Sequence, residues 1–211
     1  APAGAEPFNY RYRVGPKQII AIRRTADRTE VLDLTTGWQT LYPLKDGTFA
    51  RVDRDIRYAL TPEELTVITD ASSKPQRAPA QRQPADAPPT PIEWLAAGDT
   101  EKAIAGFRAQ FQADPKAVPE EALNGAGYAF FSAGRLPESI ALLQLNTEFY
   151  PASANTYDSL AEALVAAGET ARAIAAYEEL LRRVDADPNA PAEIKQILRA
   201  GAQRRLKELR K

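Results

Sequence analysis

The 211-residue chain contains no histidine, no cysteine and no methionine. Losing His and Cys together removes Ser-His-Asp and Cys-His nucleophilic sites and most transition-metal ligand sets. The absence of cysteine also excludes disulfides and an N-terminal lipidated Cys in this chain. No stretch approaches the roughly 18 consecutive apolar residues that a membrane helix needs, so no membrane span is expected. Neither sign of charge dominates, with 27 Lys and Arg against 28 Asp and Glu, and a pI near 5.7 gives nucleic acid no general hold. The chain opens on Ala1-Pro2-Ala3-Gly4-Ala5 without an initiator Met. Small residues of this kind follow secretory cleavage sites, so a periplasmic or secreted protein is expected, although a chain trimmed at a domain boundary reads the same way.

Carboxylates, Lys, Tyr, Ser and Thr remain, which leaves carboxylate-only glycoside hydrolysis or hard-cation binding as conceivable chemistries. No compact acidic cluster resembles a calcium loop. Asp53 and Asp55 are interleaved with Arg51, Arg54 and Arg57, the pattern of an ion-paired, solvated strand face, and Glu63 and Glu64 follow without basic neighbours. Asn124-Gly125-Ala126-Gly127 falls within a helical pattern and lacks the Lys-Ser/Thr ending of a phosphate loop. The expectation is a protein without catalytic residues, cofactor or metal.

What is present divides into three segments. Residues 1–70 carry short runs of Tyr, Ile, Val, Leu and Thr broken by turn clusters, which predicts a small antiparallel β module, either a sandwich or a partly closed barrel. The expected strands are Phe8 to Val14, Gln18 to Arg24, Thr29 to Leu34, Trp38 to Pro43, Thr48 to Asp53, Asp55 to Leu60 and Leu65 to Thr69. Turns are placed at Ala26-Asp27-Arg28, Thr35-Thr36-Gly37 and Lys45-Asp46-Gly47. In the first strand Tyr10, Tyr12 and Val14 alternate with Asn9, Arg11 and Arg13, so one face is buried and one is wet. Residues 71–90, rich in Pro, Ala and Gln and without apolar periodicity, read as an extended linker whose Lys74, Arg77 and Arg82 outnumber Asp86.

From residue 91 onward the period becomes helical and the sequence repeats itself. Glu120 to Pro151 aligns without a gap on Ala154 to Asp185, matching Leu123 with Tyr157, Phe130 with Leu164, Gly134 with Gly168, Ile140 with Ile174 and Leu143 with Tyr177. A weaker unit precedes it, marked by Trp94, Gly98, Ala103, Ile104, Phe107 and Pro115. Its first helix is shortened by Pro91, with Thr90 as cap. Residues 191–209 read as a capping helix with charges on its back. Small Gly127, Ala129, Ala161 and Ala163 are expected to let paired helices approach, and Pro188, arriving late, predicts a longer second helix in the last hairpin.

This pattern resembles the tetratricopeptide (TPR) family, on Tyr157, Leu160, Ala161, Ala163, Gly168, Ala173, Ile174 and Tyr177 in one unit and Gly127, Ala129, Gly134, Ile140 and Pro151 in the other. Ser139 and Asn146 depart from it. The resemblance implies an all-α array of TPR-like hairpins whose first helices line a concave, partner-binding surface. It places Glu121, Asn124, Tyr128, Phe131 and Ser132 on that surface in one repeat and Asn155, Asp158, Glu162 and Val165 in the next. Residues 91–190 hold seven Lys and Arg against fifteen Asp and Glu, so a basic or apolar protein or peptide partner is expected. The Lys and Arg with which TPR domains clamp an acidic peptide terminus are absent from these positions.

Runs such as Glu121 to Tyr128, Ala133-Gly134-Arg135-Leu136 and Ser153 to Ala163 are also similar to the TPR tail of bacterial secreted serine hydrolases of the β-lactamase and penicillin-binding type. Leu41 to Phe49 is a looser likeness to the β domain that precedes that tail. No Ser-x-x-Lys motif occurs, so the activity does not carry over. Three functions stay open: an exported adaptor binding through its TPR surface, an accessory region of such a hydrolase, and a small-ligand binder built on Tyr10, Tyr12, Trp38, Tyr42 and Phe49.

Overall fold

The computed structural model describes residues 8–14, 18–33, 35–61, 64–69 and 76–211, which fall into two compact units divided between Thr90 and Pro91. Among the described residues of the first unit there are eight strands: β1 Phe8–Val14, β2 Gln18–Arg24, β3 Thr29–Asp33, β4 Gly37–Pro43, β5 Phe49–Ala50, β6 Ile56–Leu60, β7 Glu64–Thr69 and β8 Gln76–Arg82. Each pairs antiparallel with the next, and β8 returns to β1 to close a barrel. The alternation read in β1 holds: Tyr12 is fully buried, Tyr10 and Val14 pack on the same core, and Asn9 and Arg13 are exposed. Ile22, Val31, Leu41, Tyr58 and Leu65 fill the interior from the other strands. Leu34, the last residue of the third expected strand, lies outside the described residues.

The linker expectation for residues 71–90 needs correction, because Gln76–Arg82 forms the strand that closes the barrel. Its inward residues are only Ala78 and Ala80, so it carries almost no apolar signal, and Pro79 argues against a strand. Pro79 faces Thr66 of β7, and the described pairing of β8 with β1 runs from Ala80 to Arg82. Beyond β8, Arg11 holds the chain by donating to the carbonyls of Ala87 at 2.6 Å and Pro88 at 3.1 Å. Lys74 lies outside the described residues. With eight strands and a closed ladder, the sandwich alternative falls away.

The strand expected over Thr48 to Asp53 shrinks to two residues. Arg51 leaves the ladder to donate to Asp33 Oδ2 at 2.8 Å and to both oxygens of Asp53, at 2.8 and 2.5 Å, and is almost completely buried. Asp33 also accepts from the backbone N–H groups of Thr35 and Thr36 and from the Thr35 hydroxyl, and Arg54 lies 3.2 Å away. The expected solvated ion-pair face is therefore a partly buried clamp off the strand.

The second unit contains, among the described residues, seven α-helices: α1 Pro91–Ala96, α2 Thr100–Ala113, α3 Glu120–Ser132, α4 Leu136–Phe149, α5 Ala154–Ala166, α6 Thr170–Arg183 and α7 Ala192–Leu209. Helix α1 packs on α2, and from α3 onward each helix packs on the next; α2 with α4, α3 with α5 and α5 with α7 also touch. Both ends of α3 and α4 recur 34 residues later in α5 and α6. The turns after α1, α3 and α5 are alike: Gly98, Gly134 and Gly168 take φ of +88°, +72° and +74°. Their N–H groups reach the carbonyls of Leu95, Phe131 and Val165, and the following N–H reaches one residue further back in the helix. This is the left-handed helix cap that glycine adopts without steric cost.

Hairpin closure repeats as well. Ser153 Oγ donates to Glu120 Oε1 at 2.8 Å, and 34 residues on, Asp187 Oδ2 accepts from the N–H of Ala154 at 2.8 Å. Each link ties the end of a hairpin to its own first residue. Two sequence expectations fail here. Helix α6 is no longer than α4, both having 14 residues, because the buried Asp187 ends the hairpin where a longer helix was expected to run on toward Pro188. Ala129 is exposed and mediates no close approach.

Gly127 does mediate one, since a Cβ there would stand 2.6 Å from Leu143 Cδ2, whereas a Cβ on Gly201 in α7 would meet nothing within 4 Å. Gly127→Ala is expected to destabilise the unit by about 1–2 kcal/mol despite better helix propensity. Gly201→Ala is expected to stabilise it by about 0.5–1 kcal/mol, since it touches nothing and removes helix-interior glycine. Denaturant titration of both variants checks the opposite signs.

Candidate functional site

Residues four apart on a helix share a face, so Asp158 and Glu162 project together from α5. Helix α3 flanks that face on one side and α7 on the other. The Tyr128 hydroxyl of α3 donates to Glu162 Oε2 at 2.6 Å. Tyr128 also meets Phe131 edge-on, with ring centroids 6.1 Å apart, and Phe131 packs against the core cluster built from α4 to α7. From α6 comes the buried Tyr177, and from α7 comes Arg205, itself 3.2 Å from Glu208.

Burial, reinforced by the negative Glu162 one turn away and only partly offset by Arg205, pushes the Asp158 carboxyl up to about 6. Burial and the bond to Glu162 push the Tyr128 phenol up to about 12, and burial beside Asp158 does the same to Tyr177. Two carboxylates, two phenols and one guanidinium thus share a partly desolvated patch in which negative charge exceeds positive. Such a patch attracts a cation and repels an anion.

The structure brings together four of the nine residues singled out in the sequence: Tyr128, Phe131, Asp158 and Glu162. Asn124 lies one turn before Tyr128, half-buried, and its Oδ1 is buried without a hydrogen-bond partner. Glu121 and Asn155 are exposed on the first turns of α3 and α5 and take no part in the cluster. Sequence reasoning missed Tyr177, read only as a repeat residue, and Arg205, which fell among the charges on the back of the capping helix. The available signal was the sign of charge: a basic helix follows directly on an acidic array, and complementary surfaces of one chain fold onto each other.

Comparison with known proteins leaves this geometry to speak for itself. No protein-family model and no curated protein matches the chain. Among the described residues, no group of three or more acidic side chains is arranged to hold a metal ion, and no helix is long and apolar enough to cross a membrane. In the barrel, Tyr12, Tyr10 and Phe49 pack in or against the core. Trp38 lies 4.2 Å beneath the guanidinium of Arg23, and Tyr42 is half exposed on the outer surface.

Proposed function

We propose that the protein is a non-catalytic binding protein whose helical unit, a TPR-like array, takes a basic or apolar peptide on the face made by α3, α5 and α7. The 34-residue recurrence of helix ends, glycine caps and hairpin closures supports the repeat reading. The observation that carries the binding reading is the Asp158–Glu162 pair with Tyr128. A carboxyl held against its preference for water, beside a second negative charge, destabilises the free protein, and a cationic side chain seated there relieves both penalties. Phe131 and the half-buried ring of Tyr128 add apolar contact for the stem of a Lys or Arg.

Affinity capture with the intact chain and with Glu121→Lys/Glu162→Lys tests this, partners being identified by mass spectrometry and their affinity measured by titration of synthetic segments. Retention is expected only on the intact chain. Affinity should fall at least tenfold in the variant and weaken with added salt. Equal retention by both proteins would remove the acidic face from consideration.

A further inference from the structure

The seam between β4 and β5 is interrupted. At the β4–β5 hairpin Leu44 N–H donates to Thr48 C=O at 2.7 Å, and Tyr42 then pairs with Ala50. Main-chain groups alternate sides along a strand, so those of Tyr42, Thr40 and Trp38 all point to the β5 side. Strand β5 ends at Ala50, and no backbone hydrogen bond joins Trp38 or Thr40 to residues 51–55. Across the seam β6 meets β5 only through Tyr58 and Arg57. The segment that would continue the ladder is instead fastened by side chains, Arg51 to Asp33 and Asp53, and residues 52–55 stand exposed, Val52 at 84%.

We propose that the β5-facing edge of β4 at Trp38 and Thr40 accepts an extended peptide segment by strand addition, a binding site separate from the helical face. The unpaired N–H and C=O groups of two alternate residues are the complement of another extended main chain and of little else. Leu41 points inward and is buried, so Trp38, Thr40 and Tyr42 form the outward row beside the added strand. That row favours β-branched or aromatic side chains at alternate positions of the guest. Residues 51–55 make no backbone hydrogen bond to that edge, being anchored by the Arg51 guanidinium.

The probe is a blocked pentapeptide of alternating threonine and valine, titrated into the ¹⁵N-labelled full-length chain. At saturation the amides of Trp38 and Thr40 should exchange at least tenfold more slowly, while the same peptide N-methylated at every residue leaves them unchanged. Thr40→Pro removes one of the two donors at a position where no ladder bond is lost, so the variant should keep its spectrum elsewhere and bind the peptide at least tenfold more weakly. No protection up to millimolar peptide, an equal effect of the N-methylated peptide, or undiminished binding by Thr40→Pro would overturn the proposal. So would protection that depends on protein concentration alone, which marks pairing between copies.

Discussion

Asp158→Asn is expected to stabilise the helical unit at pH 7 by about 2 kcal/mol, a large gain for one substitution. The folded-state value, near 6, lies above the ordinary 3.8 of a free aspartate. Between these values the folded protein binds more protons than the unfolded chain, so stability falls as pH rises through this window. Above about pH 6 the full penalty is present, and below about pH 4 it vanishes. The wild-type protein should therefore gain stability from pH 7 to pH 5 while the variant changes little, and the two denaturant curves should converge near pH 4. Parallel curves across that range would mean that Asp158 is solvated. The same substitution should weaken binding of a Lys-bearing peptide, so that stability and affinity move in opposite directions, as at sites where function is kept at a cost to the fold.

Arg51→Ala should have the opposite effect in the barrel, destabilising it by roughly 3 kcal/mol, because it leaves the buried Asp33 without its closest cationic partner. The hydrogen bonds from Arg51, Thr35 and Thr36 outweigh the cost of burial and hold the Asp33 carboxyl well below the usual carboxylate range. For a depressed acid the sign reverses. Its stabilising contribution is complete above about pH 4 and is lost only as pH falls toward the folded value. Arg51→Ala should thus unfold the barrel at a less acidic pH than wild type. Trp38 is the only tryptophan of the barrel, the other being Trp94 in α1, so its fluorescence in a Trp94→Phe background follows this unit alone.

Helices α3 to α6 were legible in the sequence because their signals are local and redundant: glycine at each turn, small residues at the crossing, and the same spacing twice. Strand β1 was legible for a similar reason, since strict alternation from Asn9 to Val14 has few other readings, and β2 stood out as an apolar run over Ile19 to Ile22. Strand β8 was not, because its inward residues are alanines and its partner strands supply the large side chains. The shortening of β5 was equally hidden, being caused by Asp33, 18 residues upstream of Arg51. At the helical face, Tyr128, Asp158 and Glu162 were singled out through the resemblance to the TPR pattern. Arg205 did not, because a contact between α5 and α7 depends on how the last helix packs, and the repeat contains no such helix.

The two closures, Ser153 on Glu120 and Asp187 on Ala154, make each hairpin a self-contained brick whose ends lie side by side. Lengthening such an array requires no redesign of its interior: a further brick laid in the same register repeats every join that already exists. The reach of the acidic face is therefore quantised. It can grow or shrink between descendants of this sequence in whole bricks, with α7 carried along as the coping that finishes the wall.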